Sequence, residues 1–156
     1  MQLVTHQTGP QGQKVRTLYI EQGTKIAREM YMAVLLDRES SQLTLIAAAE
    51  GGMDIEELAA KSPEKIITIK IDPTTGFGAY QGRLLGYKLG LDTALHAGLI
   101  QLCQSLIKAY VETDASLVEI NPLVLTEDKT FVALDAKMTF DDNALYRHKS
   151  FAELRD

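Results

Sequence analysis

The stretch Leu117-Val118-Glu119-Ile120-Asn121-Pro122-Leu123-Val124-Leu125, the polar turn Thr126-Glu127-Asp128-Lys129-Thr130, and the run from Phe131 to Phe140 together decide how this chain is read. Both flanks are rich in apolar and β-branched residues, the composition of strands that pack on a pleated surface. Charged or amide side chains interrupt each flank at matching places: Glu119 and Asn121 on the first, Asp135 and Lys137 on the second. A hairpin centred on Asp128 sets Asn121 opposite Asp135 and Glu119 opposite Lys137. Side chains alternate faces along a strand, so all four then point the same way, and a slip of one residue would separate the partners. Ile120, Val124, Leu134 and Ala136 are expected on the opposite face, against helices. Pro122 has no N–H for a ladder and requires an edge or unpaired position.

The rest of the chain alternates strand and helix signals. Lys14 to Glu21 follows the turn residues Thr8 to Gly12 and reads as a strand, preceded by a strand and turn over Met1 to Gln13 that suggests the chain begins in the middle of a fold. Arg28 to Asp37 and Gln42 to Ala49 flank a polar turn and form a hairpin. After Gly51-Gly52, Asp54 to Lys61 has helical spacing and stops before Ser62-Pro63. Ile67 to Ile71 alternates as a short strand. Tyr80 to Leu89 and Thr93 to Val111 are helical, the second carrying Leu95, Leu99, Leu102, Leu106 and Tyr110 on one stripe. Asn143 to Arg155 reads as a weak helix. The expected class is α+β with a mainly antiparallel sheet packed by helices.

Composition narrows the function. A chain of 156 residues, 46% of them hydrophobic, suits one core of ordinary domain size. The formal charge of −5 is scattered, with no basic block to track a phosphate backbone, so nucleic acid is not an expected partner. With Cys103 as the one cysteine, neither an intrachain disulfide nor a CxxC metal site is possible, which fits a reducing compartment. Apolar runs fall short of the ~18 residues that span a bilayer, and a soluble protein is expected.

An Asp carboxylate and an Asn carbonyl about 5 Å apart across a hairpin supply hard oxygen ligands without the charge of a closed cage. Such a pair suits Mg²⁺, which keeps waters and takes further ligands from nucleotide phosphates. The competing reading is a solvated sheet face with a Glu119–Lys137 cross-strand pair, contributing roughly 0.2–1 kcal/mol.

Several motifs in order, LVEINPL at 117–123, ALDAK at 133–137, DDNAL at 141–145, LYIEQGTKIAREMYMAVLLDR at 18–38, EGGMDIE at 50–56, IDPTTG at 71–76 and YQGR at 80–83, closely resemble the β subunit family of succinyl-CoA synthetase across essentially the whole chain. The resemblance implies an ATP-grasp domain, mostly its C-terminal lobe, in which two α+β lobes hold ATP. It implies Asn121 and Asp135 as Mg²⁺ ligands that hold the β and γ phosphates. Glu21, Thr24 and Glu29 are implied to line the adenosine pocket, and Glu119 to face the phosphohistidine of a partner α subunit and stabilise its charged imidazole. The reaction implied is that of a tricarboxylic acid cycle ligase: succinate, CoA and ATP or GTP give succinyl-CoA, ADP or GDP, and phosphate, in the bacterial cytoplasm or the mitochondrial matrix. The family's glycine-rich segment with its phosphate-binding lysine, and its C-terminal CoA-ligase domain, have no counterpart in residues 1–156. The chain is therefore expected to be a partial ATP-grasp domain that alone binds nucleotide weakly or not at all and forms no succinyl-CoA. Its exposed sheet edges and apolar surfaces are expected to favour self-association. Malate–CoA ligase β subunits share these motifs, and a non-catalytic interaction module is the reading from a different class.

Other features are given structural readings. His96 lies within an amphipathic helix, His6 and His148 in polar surface stretches, and Cys103, Met30 and Met32 among apolar neighbours, as core residues. Gly51-Gly52 is explained as a tight strand-to-helix turn.

Overall fold

Two long strands carry the architecture of the computed structural model, which describes residues 2–5 and 8–153. They are β3 (Ile26–Asp37) and β6 (Ala115–Thr126), antiparallel partners at the centre of a six-stranded sheet. In chain order the strands are β1 (Gln2–Leu3), β2 (Gln13–Lys14), β3, β4 (Gln42–Ala48), β5 (Ile67–Ile71), β6, β7 (Phe131–Ala133) and β8 (Ala136–Phe140). The helices are α1 (Ile55–Lys61), α2 (Ala79–Lys88), α3 (His96–Glu112) and α4 (Lys149–Ala152). The main sheet runs β5-β4-β3-β6-β7, with β8 also on β6, and every pairing is antiparallel. β1 and β2 form a separate two-stranded ribbon.

The sheet's two faces are dressed unequally. On one face, Met30, Met32, Val34, Leu45, Ile69, Ile71, Val118, Ile120 and Leu123 pack with Leu85 of α2, with Leu89 at its C-terminal cap, and with Leu99, Cys103, Leu106 and Ile107 of α3. The Leu95-to-Tyr110 stripe meets this core as the periodicity predicts, and Met30, Met32 and Cys103 have no exposed surface. Two glycines let the helices close: a Cβ on Gly82 would lie 2.3 Å from Ile100, and one on Gly86 would lie 2.5 Å from the His96 ring. His96 is thus a buried packing residue, its Nε2 3.3 Å from the Leu91 carbonyl and Tyr87 edge-on to its ring. Arg28 reaches across to donate to the Leu89 carbonyl at 2.7 Å, tying β3 to the end of α2. Among the described residues the other face carries the short α1, whose Leu58 packs with Tyr31, Ala33 and Ala48.

Several expectations are corrected. The strand expected over Lys14–Glu21 reduces to Gln13–Lys14; Leu18, Tyr19 and Ile20 are exposed, because β propensity forms a strand only where a partner edge exists, and no described strand pairs there. Phe131–Phe140 is two short strands, broken at Leu134–Asp135. The helix read as Thr93–Val111 opens with a tight 3₁₀ turn over Thr93–Leu95, because the Asp92 carboxylate accepts from the Ala94 N–H at 3.2 Å. The tail is a 3₁₀ stretch over Asp142–Arg147 followed by α4, and residues 154–156 lie outside the described residues. His148 is not a free surface histidine: its Nε2 lies 2.6 Å from Asp114, which Arg147 also engages, and its ring stacks on Phe151. His6 lies outside the described residues.

The face assignment along β6 also changes midway. Met30 pairs with Leu123 and Met32 with Ile120, so β6 carries one residue more than β3 across this step, a bulge at the cis Asn121–Pro122 bond. Ile120 lies in the helix-covered core as expected, but beyond the bulge Leu123 and Leu125 meet that core in place of Val124. Ala136 is exposed rather than packed, and Leu134 is half-buried. Pro122 occupies the bulge, where β3 asks it for no N–H. Among the described residues no helix is long and apolar enough to cross a membrane.

Candidate functional site

The final hairpin has the register expected from its turn. Leu125 pairs with Phe131, Leu123 with Ala133 and Glu119 with Lys137, and the Asn121 N–H donates to the Asp135 carbonyl at 3.0 Å. Glu119, Asn121, Asp135 and Lys137 accordingly share one face, that of α1, and line one open cleft of ≈ 1010 Å³. The opposite wall is the segment from Gly52 to Glu56, where β4 gives way to α1. Asp54 caps that helix by accepting from the Glu56 N–H at 3.0 Å and the Glu57 N–H at 3.4 Å.

Asn121 staples the two walls together. Its Oδ1 accepts from the Gly52 N–H at 2.7 Å, and its Nδ2 donates to the Met53 carbonyl at 2.9 Å. Those two bonds assign the amide orientation, leaving Oδ1 with a second lone pair. The loop reaches this position because Gly51 lies against the Met30 backbone, where a Cβ would come within 2.2 Å of the Met30 carbonyl oxygen. Gly52 has φ of 71°, in the left-handed region that favours glycine, and a Cβ there would sit 2.9 Å from a Glu29 carboxylate oxygen. Gly51-Gly52 is thus more than a tight turn: it brings a backbone N–H onto Asn121 and sets the cleft beside Glu29. The EGGMDIE string contained this signal, but the glycine spacing matches no phosphate-loop pattern, and only the approach to Met30 reveals its use.

The cleft is acidic. Asp54, Glu56, Glu119 and Asp135 face one lysine, Lys137. The Asp135 side chain is exposed, with no hydrogen bond or ion pair among the described residues. Although Lys137 stands directly opposite Glu119, the two make no ion pair, so the cross-strand pair of the competing reading does not form. The buried Tyr31 shares this face with Glu119. Burial, first, and the negative charge of Glu119, second, push the Tyr31 phenol well above its usual range.

An Mg²⁺ ion fits this donor set by its chemistry. Asn121 offers one lone pair, Asp135 offers an unengaged carboxylate, and among the described residues no cluster of three or more acidic, His or Cys side chains forms a cage. Two hard oxygens with solvent access match an ion that retains waters and binds through phosphates.

The implied adenosine residues are dispersed. Glu29, exposed on β3, borders the cleft through Gly52. Exposed Glu21 and half-buried Thr24 lie in the irregular stretch before β3, outside the cleft, where the Lys25 carbonyl accepts from the Glu127 N–H at 3.1 Å.

Comparison with known proteins agrees with this architecture. A family model described as the ATP-grasp domain matches residues 1–125. The chain is 53% identical over 156 residues to the succinate–CoA ligase [ADP-forming] β subunits of Nitratiruptor sp. and of Acidobacterium capsulatum, spanning 100% of this chain and 40% of each relative. Among solved structures, ATP citrate lyase from Methanothrix soehngenii, in complex with citrate and coenzyme A, superposes with a TM-score of 0.64 at 26% identity, over 86% of this chain and 30% of that one. A matching antiparallel sheet, a family match over most of the chain, and relatives similar along its whole length converge: the chain belongs to the ATP-grasp family.

Proposed function

We propose that this chain is the nucleotide- and Mg²⁺-binding lobe of the β subunit of a two-subunit acid–CoA ligase. The enzyme would join succinate to CoA at the expense of ATP or GTP, through a phosphohistidine carried by the α subunit. The observation that carries the proposal is the convergence of Glu119, Asn121 and Asp135 on one cleft whose far wall is held by the Gly52 N–H. In this reading Asn121 and Asp135 hold Mg²⁺, which, when bound, neutralises charge on the β and γ phosphates. Phosphoryl transfer asks a protein mainly for positioning and charge stabilisation, which is what the remaining residues supply. Asn121 fixes the Gly52–Met53 wall against the hairpin, so the separation between the walls is set by two hydrogen bonds rather than by a mobile loop. Glu119 supplies a carboxylate that accepts from the incoming imidazole and stabilises its cationic form while the bond from phosphorus to the leaving oxygen breaks and that to nitrogen forms. Glu29, beside Gly52, accepts from the ribose hydroxyls, while Glu21 and Thr24 read the adenine from the segment before β3. The relatives that share half the sequence are named for succinate, which favours it over malate.

The test is Mg²⁺-dependent ATP binding by calorimetry in the intact β subunit. Asp135→Ala is expected to abolish the Mg²⁺-dependent part; unchanged binding would favour a non-catalytic interaction module. A panel of succinate and malate with the assembled enzyme decides the acid.

A further inference from the structure

We propose that Lys137 is a catalytic residue of the phosphoryl transfer, its ammonium contacting the oxygens of the phosphoryl group on its way from the nucleotide to the imidazole. The inference rests on the phosphotransfer reading above and adds a cleft residue to which that reading gives no part.

Position is the first support. Lys137 on β8 pairs with Glu119 on β6, and the next rung on the same face holds Asn121 and Asp135, where the Asn121 N–H donates to the Asp135 carbonyl. Two residues along a strand span about 7 Å. Lys137 therefore adjoins both the proposed metal pair and the carboxylate proposed to meet the imidazole, and a phosphoryl group handed from one to the other passes beside it.

Charge is the second. Asp54, Glu56, Glu119 and Asp135 line the cleft, and Lys137 is the one cationic side chain among its lining residues. A transferring phosphoryl group spreads negative charge over three oxygens, and catalysis consists largely of positioning it and neutralising that charge. Glu119 stabilises the imidazole but repels those oxygens. The ammonium opposite it offsets that repulsion on the rung where the phosphoryl group is received.

Availability is the third. Opposite charges directly across an antiparallel pair attract each other, yet Lys137 and Glu119 form no ion pair, and among the described residues Lys137 has no hydrogen-bond partner. Two nearby donors are already engaged, the Gly52 N–H on Asn121 Oδ1 and the Asn121 amide on the Met53 carbonyl. Lys137 is exposed, and its flexible four-carbon stem brings three donors to an incoming anion.

The experiment uses the assembled two-subunit enzyme with Lys137→Ala, Lys137→Arg, and Lys137→Ala combined with Glu119→Gln. The readouts are the single-turnover rate of phosphoryl transfer from radiolabelled ATP to the histidine, calorimetric affinity for Mg·ATP, and rescue by added ethylammonium. Lys137→Ala is expected to slow transfer about 10²-fold, as for loss of a donor to transition-state charge, and to leave affinity for Mg·ATP within about threefold. Restoring a cation, by Lys137→Arg or by ethylammonium on Lys137→Ala, should recover about 10-fold or more of the rate. In the Glu119→Gln background Lys137→Ala should still slow transfer about 10-fold or more, because the ammonium acts on the phosphoryl group directly.

A wild-type rate for Lys137→Ala overturns the inference. So does a loss that neither Arg nor ethylammonium repairs, which marks a role through the fold, and so does a loss that vanishes beside Glu119→Gln, which marks a role through that carboxylate. Each of these leaves the phosphotransfer reading intact as long as the wild-type enzyme labels its histidine and Asp135→Ala abolishes Mg²⁺-dependent binding. Absence of labelling in the wild-type enzyme overturns both.

Discussion

The two faces of the central sheet are built from the same strands and do opposite jobs. One is sealed by α2 and α3 over a continuous apolar core in which Met30, Leu85, Leu99 and Leu123 have essentially no exposure. The other, among the described residues, is covered by the seven-residue α1 and opens beside it into a cleft lined by four carboxylates, an amide and a lysine. Stability is concentrated on the sealed face, where each fully buried leucine contributes about 1.5–3 kcal/mol. The open face leaves polar groups available and is held in shape by a few directional bonds, chiefly those of Asn121. Such a division lets the site carry exposed like charges whose mutual repulsion the opposite core offsets.

The contrast can be broken from either side. Leu99→Ala on the sealed face is expected to cost about 2–5 kcal/mol of unfolding free energy in urea titrations, with little change in Mg²⁺-dependent binding by the fraction that stays folded. On the open face, Asn121→Ala removes a proposed metal ligand and both loop bonds. Turnover of the assembled enzyme should fall about 10²–10³-fold, with a much smaller stability loss than for Leu99→Ala. Gly52→Ala forces a Cβ onto a left-handed residue and toward Glu29, and should cost about 1–2 kcal/mol, seen as a lower thermal midpoint together with weaker nucleotide binding.

The smallest effect lies at the rim, away from both faces. Lys70, first, and Ser40, second, hold the Asp37 carboxyl down to about 2, below its ordinary 3.8. Because the folded value is the lower one, the unfolded chain takes up this proton first. The contribution is fully present above about pH 4 and is lost as pH falls from 3.8 through about 2. Asp37→Asn should flatten that part of a stability-against-pH curve and leave it unchanged near neutrality in slope. Equal slopes for the two proteins between pH 2 and 4, about the range of this titration, would show that the Lys70 contact is absent in solution.

Much of this was legible beforehand, in particular places. The hairpin register followed from a polar turn and from matched interruptions in two apolar strands, because a period of two leaves little freedom once one face must be buried. The leucine stripe that meets the core from Leu95 to Leu106 was equally local. Lys14–Glu21 misled for the same reason in reverse: its composition is that of a strand, but strand formation is a property of a pair, and the described residues provide it no edge.

What residues determine within their own neighbourhood, the sequence settles alone: the helical stripes, the turns, and the common face of Glu119, Asn121, Asp135 and Lys137. What depends on contacts between distant segments needed the tertiary structure. The bulge that switches the core-facing side of β6, the seating of Gly51 on Met30, and the capture of Gly52 by Asn121 all join positions separated by tens of residues. No periodicity encodes such meetings, because they are fixed by how the strands pack and cross, and it is these meetings that turn a polar stripe on a hairpin into a cleft with two walls.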